Sequence, residues 1–492
     1  MKLTLGQIAT LLNSRCGVPD RVVTGYSLDS RSIGPGQLFF AMRGPRFDGH
    51  QFLAQAIERK AAGAVVENAF LEQAPPSLRP ALLAVPSPLE ALQHLGQWVR
   101  RKWGRPLIAV TGSTGKSTTK EMIAALLGKR FAVHKSAGNL NNHYGLPLTL
   151  LGLEPEHDIA VMELAMSAAG EIAQLAKIAE PETGVVTNVA PVHLQFFDSV
   201  ESIAKAKREL VENLSWLEGA PTVVLNYDDP RVQRFREGFE GKVITFGMGS
   251  GADVQACWVR PREGIGSEFR VIGPTLDADF FLPVPGRYNV QNALAAIAVA
   301  SSFDVPPEEM RRALADFQNM PQRGEIVTLP GPVTIIDDSY NSNPQAMECM
   351  LETLRTWPGA RRRIVVAGAM LELGPQSPRL HRETGRECAE TDLAWLIAVQ
   401  GDAIFFLEGA VAAGLPPAQT RFFPDAGLAG EFCRSLLEAG DVVLVKGSRG
   451  VHLETVVEAL RRSQGVEESR SREVEWSKSR GAEKCRIEKS RG

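Results

Sequence analysis

The stretch PLIAVTGSTGKSTTKEMIAALL, Pro106 to Leu127, decides the fold. Its apolar run Leu107 to Val110 predicts a buried strand, and a glycine-bearing turn, Thr111 to Gly115, follows. A helix then starts at Lys116 with Met122, Ile123, Leu126 and Leu127 on its apolar side. Strand, tight turn and helix in that order gather backbone N–H groups and a positive helix end around one concavity, which suits a phosphate chain. Lys116 would reach the outer phosphates and the Ser117 hydroxyl would ligate Mg²⁺. Val110 stands where the longer phosphate-loop motif has a glycine, so the match is to the shorter form GxxGKS. A helix terminus contributes roughly 0.3–1 kcal/mol, up to about 2. Holding a triphosphate therefore requires the lysine and a metal as well.

The chain has 492 residues, too many for one core, and at about 100–200 residues per domain it predicts three or four. Hydrophobic content of 44% and charged content of 23% are those of an ordinary soluble protein. A formal net charge of -3 gives no electrostatic case for nucleic acid or an anionic membrane as partner. The 6 Cys are scattered without CxxC spacing, which predicts reduced thiols in a cytoplasmic protein. The opening MKLTLGQIATLLNSR reads as an amphipathic helix after Thr4 and not as a signal peptide, and no window is apolar and long enough to cross a bilayer.

Upstream of the phosphate loop, residues 1–105 read as a smaller mixed α/β domain. In DSRSIGPGQLFFAM, Ser30 and Arg31 either hold a phosphate or diphosphate, whose oxygens match the guanidinium fork, or form a surface turn. Ala61 to Asn68 and Ala81 to Pro88 predict strands, followed by a helix from Leu89 to Arg105. Residues 106–320 form the central, nucleotide-binding domain. There Asn139, Asn141 and Asn142 either cap turns or read a polar ligand. The strand in DIAVMELAMS ends on Glu163, placed for Mg²⁺ at a carboxyl end or for a structural ion pair. Gly184 to Val189 predicts a further strand, then a loop with His193. A helix from Ser199 to Leu214 has a Ser/Glu start, and Lys205, Lys207 and Arg208 fit a solvated face. Val254 to Pro285 reads as a small antiparallel sheet, and GRYNVQNALAAIAVA as an Ala-rich helix with Asn289 and Asn292 near its start, where an amide suits an adenine edge.

Residues 321–463 alternate strands and helices, which predicts a parallel, Rossmann-like C-terminal sheet. TIIDDSYNSNPQAM runs a strand into Asp337 and Asp338 and opens a helix at Pro344, while KGSRG ends a strand in a basic turn, a second anion contact. Residues 464–492 interleave both charge signs with almost nothing apolar and predict a disordered or frayed tail. The fold class is thus α/β with three domains: a central P-loop-type sheet, the Rossmann-like C-terminal domain and the mixed N-terminal one.

Taken together, TGSTGKST, GNLNN, MELAMS…GEI, VTNVAPVHL, AKAKREL, GRYNVQNALAA, MPQRGEI, DDSYNSNP and KGSRG resemble the Mur ligase family, the ATP-dependent amide ligases of peptidoglycan precursor synthesis. They occur in the family's order from about Leu28 to Leu460. The resemblance implies that Thr111, Gly112, Ser113, Thr114, Gly115, Lys116, Ser117 and Thr118 cradle the ATP phosphates. Ser117 and Glu163 would then hold one Mg²⁺, and His193 would help hold a second. Lys207 aligns with a lysine that some members carry as a carbamate bridging the metals. Asn292 would touch adenine, Asp338 the ribose and Arg323 the transferred phosphate. Asp29, Ser30 and Arg31 would meet the UDP end of a UDP-sugar, and Asn139, Asn141 and Asn142 its muramoyl part. Tyr340, Asn341, Asn343 and Ser448 are the candidates for an incoming dipeptide. Two positions depart from the family's pattern: Ala165, commonly glycine, and Ala369, near which an acidic residue is common.

DSYNSNP is most similar to members that attach D-alanyl-D-alanine to UDP-N-acetylmuramoyl-tripeptide, and no DNPR-type signature of the preceding ligase is present. The implied reaction is cytoplasmic, with Lys116, Lys207, His193 and Arg323 at the reacting groups, ATP and Mg²⁺ required, and a monomer carrying it out. Other amino-acid-adding members of the family, a folylpolyglutamate synthase-like ligase and a P-loop regulatory ATPase are the competing readings.

Overall fold

The computed structural model describes residues 2–44, 47–192, 194–216, 219–262 and 266–462. Leu107–Thr111 lies inside a sheet of nine strands, between Ile159–Glu163 and Thr183–Val186, and is parallel to both. The register pairs Val110 with Glu163 and Thr111 with Val186. Three chains therefore leave the carboxyl edge of the sheet at one level, the place where α/β sheets collect their ligands.

All five residues of Leu107–Thr111 are buried, because helices cover both faces. Ile108 and Val110 pack with Met122, Ile123, Leu126 and Leu127 of Lys116–Leu127 and with the Ala-rich helix Arg287–Ser302. Leu107 and Ala109 pack on the other side with Leu92, Leu175 and Leu210. A strand covered on both faces reads as a continuous apolar run, as LIAV does. Leu92 belongs to Pro88–Trp103, which starts at the Ser87 cap and stops at Gly104, φ 61°. Arg100 pins this helix to the central layer: Nε donates to the Ala179 carbonyl at 2.8 Å, and Nη2 pairs with Glu182 at 2.5 Å.

Three local expectations are corrected. Val254–Arg262, Gly266–Gly273 and Leu276–Leu282 are antiparallel to one another but do not form a separate sheet. Phe246 and Gly247 pair in parallel with Val254 and Gln255, which joins them to the central sheet; Phe246, Phe269 and Phe280 fill the same core as Arg287–Ser302. The strand expected over Gly184 to Val189 is Thr183–Val186, since Thr187 and Asn188 turn aside to bond the phosphate loop. Ser199 does cap Val200–Glu212, but Ser202 completes the box while Glu201 pairs with Arg231.

The N-terminal sheet has four parallel strands in the order Gly25–Ser27, Gln37–Phe40, Gly63–Glu67, Leu82–Val85. Beside it, Leu5–Leu11 starts from a capping box between Thr4 and Gln7. The C-terminal sheet has six strands, in the order Glu325–Leu329, Val333–Asp338, Asp441–Lys446, Arg362–Gly368, Trp395–Val399 and Thr420–Phe423. Every pairing in it is parallel except the first. Among the described residues, no helix is long and apolar enough to cross a membrane. The tail expectation for 464–492 lies outside the described residues.

Candidate active site

The carboxyl edges of the central and C-terminal sheets face each other across a cleft of about 350 Å³. The phosphate loop and Glu163 form one wall, and Arg323, Asp338, Tyr340 and Lys446 belong to the other. Two glycines give the loop its shape. Gly112 has φ 150°, and a Cβ there would sit 1.8 Å from Thr187 Oγ1; Gly115 has φ 78°, and a Cβ would sit 2.3 Å from Asn292 Oδ1.

The loop is braced from the side by Asn188, a residue the motif reading passed over although it ends the VVTN run. Ser113 N donates to the Asn188 carbonyl at 3.0 Å and Thr114 N to Asn188 Oδ1 at 2.9 Å. Two of the amides expected to face phosphate thus hold the loop in shape. Lys116 Nζ donates to the carbonyls of Gly112 at 3.0 Å and Ser113 at 3.4 Å, curling over the loop. Desolvation lowers its pKa, Glu163 works against that, and Arg323 adds to it.

Glu163 is buried, and each of its oxygens has one partner: Oε2 accepts from Ser117 Oγ at 2.7 Å and Oε1 from Asn141 Nδ2 at 2.8 Å. Arg323 Nη2 reaches the same Ser117 Oγ at 3.3 Å. A carboxylate and a hydroxyl on rigid elements beside a phosphate loop are hard oxygen donors. That chemistry fits Mg²⁺, which takes one or two protein ligands and completes its shell with water and substrate phosphate. Among the described residues no group of three or more His, Cys, Asp or Glu converges. His193 lies outside the described residues.

Lys207 is 2% exposed, so the solvated-face reading fails for it, whereas Lys205 is exposed and Arg208 pairs with Glu212 at 3.0 Å. No partner for Lys207 Nζ is found among the described residues. Burial first, and the charge of Lys116 second, push its pKa well below the ordinary lysine value.

On the opposite wall Asp338 and Lys446 are register partners in neighbouring strands, and their side chains pair at 2.5 Å. Lys446 also donates to the Asn341 carbonyl at 2.9 Å. Arg323 stacks on the Tyr340 ring at 4.0 Å. Asn343 caps Pro344–Arg355 through Ala346 N at 2.9 Å. Ser448 is buried; its Oγ accepts from Leu371 N at 2.9 Å, and it does not line the cleft. Asn292 does line it and accepts from Thr119 Oγ1 at 3.2 Å. Tyr288 and Cys349 line it too without having been singled out; Tyr288 stands directly before Asn289 and was the available signal.

Asn139, Asn141 and Asn142 line the cleft, and Asn142 Oδ1 also accepts from Gly145 N at 2.9 Å, so the loop both caps a turn and lines the cleft. A second depression shares Asn142, His143, Ala165 and Glu171 with the cleft and extends to Glu90 and Gln93 of the Pro88–Trp103 helix. Asp29, Ser30 and Arg31 do not line it. Ser30 Oγ donates to Gln55 at 2.6 Å, and the hydrogen bond from Arg31 draws the Asp29 carboxyl down to about 2. Of the two departures, Ala165 lines the cleft and Ala369 is buried.

Three family models match the chain: the Mur ligase family catalytic domain over residues 22–101, the Mur ligase middle domain over 110–300, and the Mur ligase glutamate ligase domain over 306–449. The chain is 33% identical over 463 residues to the UDP-N-acetylmuramoyl-tripeptide–D-alanyl-D-alanine ligase of Bacillus subtilis, covering 94% of this chain and 98% of the relative. It is similar to the crystal structure of MurF from Acinetobacter baumannii, with a TM-score of 0.84, 30% identity, and coverage of 94% of this chain and 99% of that one. It is also similar to the MurF ligase of Thermotoga maritima in complex with ADP, with a TM-score of 0.77, 28% identity, and coverage of 89% and 97%.

Proposed function

The chain belongs to the Mur ligase family, and on that premise we propose that it joins D-alanyl-D-alanine to UDP-N-acetylmuramoyl-tripeptide at the expense of ATP. The single observation that carries the chemistry is the meeting of Lys116, Ser117, Glu163 and Arg323 at one end of the cleft. Such a site activates an acid. A carboxylate oxygen at the tripeptide terminus attacks the γ-phosphorus of ATP, and the bond to ADP breaks. The dipeptide amine then attacks the acyl carbon, loses a proton, and phosphate leaves with its electron pair.

Both reactants of the first step are anions, so the site has to lower the charge between them. Lys116 and Arg323 do so from opposite walls, held by the Gly112 carbonyl and the Tyr340 ring. Mg²⁺, held by Ser117 and Glu163, supplies further neutralisation of the polyphosphate when bound. His193 extends that set in this reading. Lys207, buried and biased towards the neutral amine, is suited to take up CO₂ as a carbamate, turning a cation into an anionic oxygen donor. Thr111, Gly112, Ser113, Thr114, Gly115 and Thr118 shape the phosphate seat, Asn292 faces adenine and Asp338 the ribose.

The corridor from Asn142 and His143 towards Glu90 suits the muramoyl-peptide, with Asp29, Ser30 and Arg31 reserved for the UDP end. Tyr340, Asn341 and Asn343 take the dipeptide side, and Ser448, which does not line the cleft, supports that wall through Leu371 N. Domains at 1–105, 106–320 and 321–463 would each bring one reactant to the junction. The reading is of a monomer that works in the cytoplasm, where ATP is at hand.

Incubation with ATP, Mg²⁺, UDP-N-acetylmuramoyl-tripeptide and D-alanyl-D-alanine should yield the pentapeptide product by mass, with one phosphate per amide. Steady phosphate release without the peptide substrates, and no product with them, would favour a regulatory ATPase instead.

A further inference from the structure

The basic turn KGSRG, read from sequence as an anion contact, divides its two cations between different tasks. Lys446 is buried and paired with Asp338, so its charge is already balanced. Arg449 is exposed, and no carboxylate pairs with it among the described residues. Its guanidinium lies 5.3 Å from the Tyr340 ring centroid, and Nη1 faces Tyr340 Oη at 3.4 Å. The same ring carries Arg323 at 4.0 Å, and Arg323 reaches Ser117 at the phosphate seat. Tyr340 is thus a spacer between one guanidinium at the chemistry and one at the rim. Beside the rim cation stands Leu371, 49% exposed and tied to the turn by Ser448 Oγ. A Cβ on Gly450 would touch its Cδ1 at 3.0 Å.

We propose that Arg449 receives the terminal carboxylate of the incoming dipeptide, and that the Tyr340 spacer and Leu371 make the site select two residues over one. This rests on the ligase reading above. The two guanidinium carbons lie no farther apart than the sum of their distances to the shared ring. An extended dipeptide spans about 7 Å, twice the roughly 3.5 Å of a single residue. With its amine at the acyl carbon beside Arg323, a dipeptide places its carboxylate at Arg449, where the planar fork matches two oxygens. In this proposal single D-alanine, with about half that reach, leaves the cation unpaired. Leu371 offers apolar surface to a side-chain methyl.

The test compares D-alanyl-D-alanine, its C-terminal amide and D-alanine in wild type, Arg449→Ala and Arg449→Lys, with product read by mass spectrometry and the KM of each substrate measured. Wild type should prefer acid to amide by at least about tenfold. Arg449→Ala should raise the dipeptide KM about 10–100-fold and erase the acid-over-amide preference, leaving the KM for ATP unmoved; Arg449→Lys should restore part of the preference. An active wild type whose preference survives in Arg449→Ala overturns this assignment alone. A wild type that makes no product from the dipeptide overturns the ligase reading beneath it.

Discussion

Ser117 Oγ donates to Glu163 Oε2 over 2.7 Å, joining the first turn of the phosphate-loop helix to the end of the neighbouring strand. The strand that feeds the phosphate loop is in register with the strand of Glu163 at Val110, so sheet and helix geometry set the separation of the two side chains. Asn141 holds the second carboxylate oxygen, which fixes the plane of the group. A site for a hard cation made this way is stiff before any ligand arrives.

Glu163→Gln keeps the shape and removes the charge. Phosphate release should fall by at least about 100-fold, with the Mg²⁺ requirement moved to higher concentration. Titrating Mg²⁺ against initial rate checks this; an unchanged Mg²⁺ curve would exclude Glu163 as a ligand.

Lys207 makes stability depend on pH. Its folded pKa is depressed, so between that value and about 10.5 the unfolded chain binds the extra proton. Stability at this site therefore rises with pH across that window and is lost as pH falls. In CO₂-free buffer, Lys207→Met should raise the unfolding temperature at pH 7 and bring much less gain near pH 10. Calorimetry at both values decides it: equal gains would mean a packing effect without a proton.

Gly115→Ala should weaken ATP binding more than tenfold, because its φ of 78° and the Asn292 Oδ1 at 2.3 Å both oppose a side chain. Gly414→Ala is the control. Gly414 has φ 104° with nothing within 4 Å, so only backbone strain of about 1 kcal/mol applies there and ATP affinity stays put. Calorimetric titration with a non-hydrolysable ATP analogue separates the two.

Arg100→Ala should destabilise the seam between the Pro88–Trp103 helix and the central sheet by about 1–3 kcal/mol, since it leaves the Ala179 carbonyl and one oxygen of Glu182 without their partner while Leu107 N keeps the other. Denaturant unfolding followed by Trp103 fluorescence checks the size. A loss below about 1 kcal/mol would mean solvent takes over those bonds.

Much of this architecture was legible because it was locally written. LIAV followed by a glycine turn and Lys-Ser fixes strand, loop and helix within one stretch, and Ser87, Asn343 and Thr4 mark helix starts by their own side chains. What depended on distant neighbours was not legible. The fate of Val254–Arg262 turned on pairing with Phe246 and Gly247, which no pattern inside 254–285 records. Lys207 sits in a helix whose polar residues suit a solvated face, and only the layer packed above shows it to be buried. Asn188 acts through Thr114, far away in sequence, so its bracing of the loop carried no signal of its own, and the KGSRG turn gave no sign that Arg449 faces Tyr340.

The central claim is that the tripeptide's terminal carboxylate is activated by direct attack on the γ-phosphorus. Substrate labelled with ¹⁸O in that carboxylate tests it: released phosphate should carry one ¹⁸O for each amide formed. Unlabelled phosphate accompanying pentapeptide formation would contradict the account.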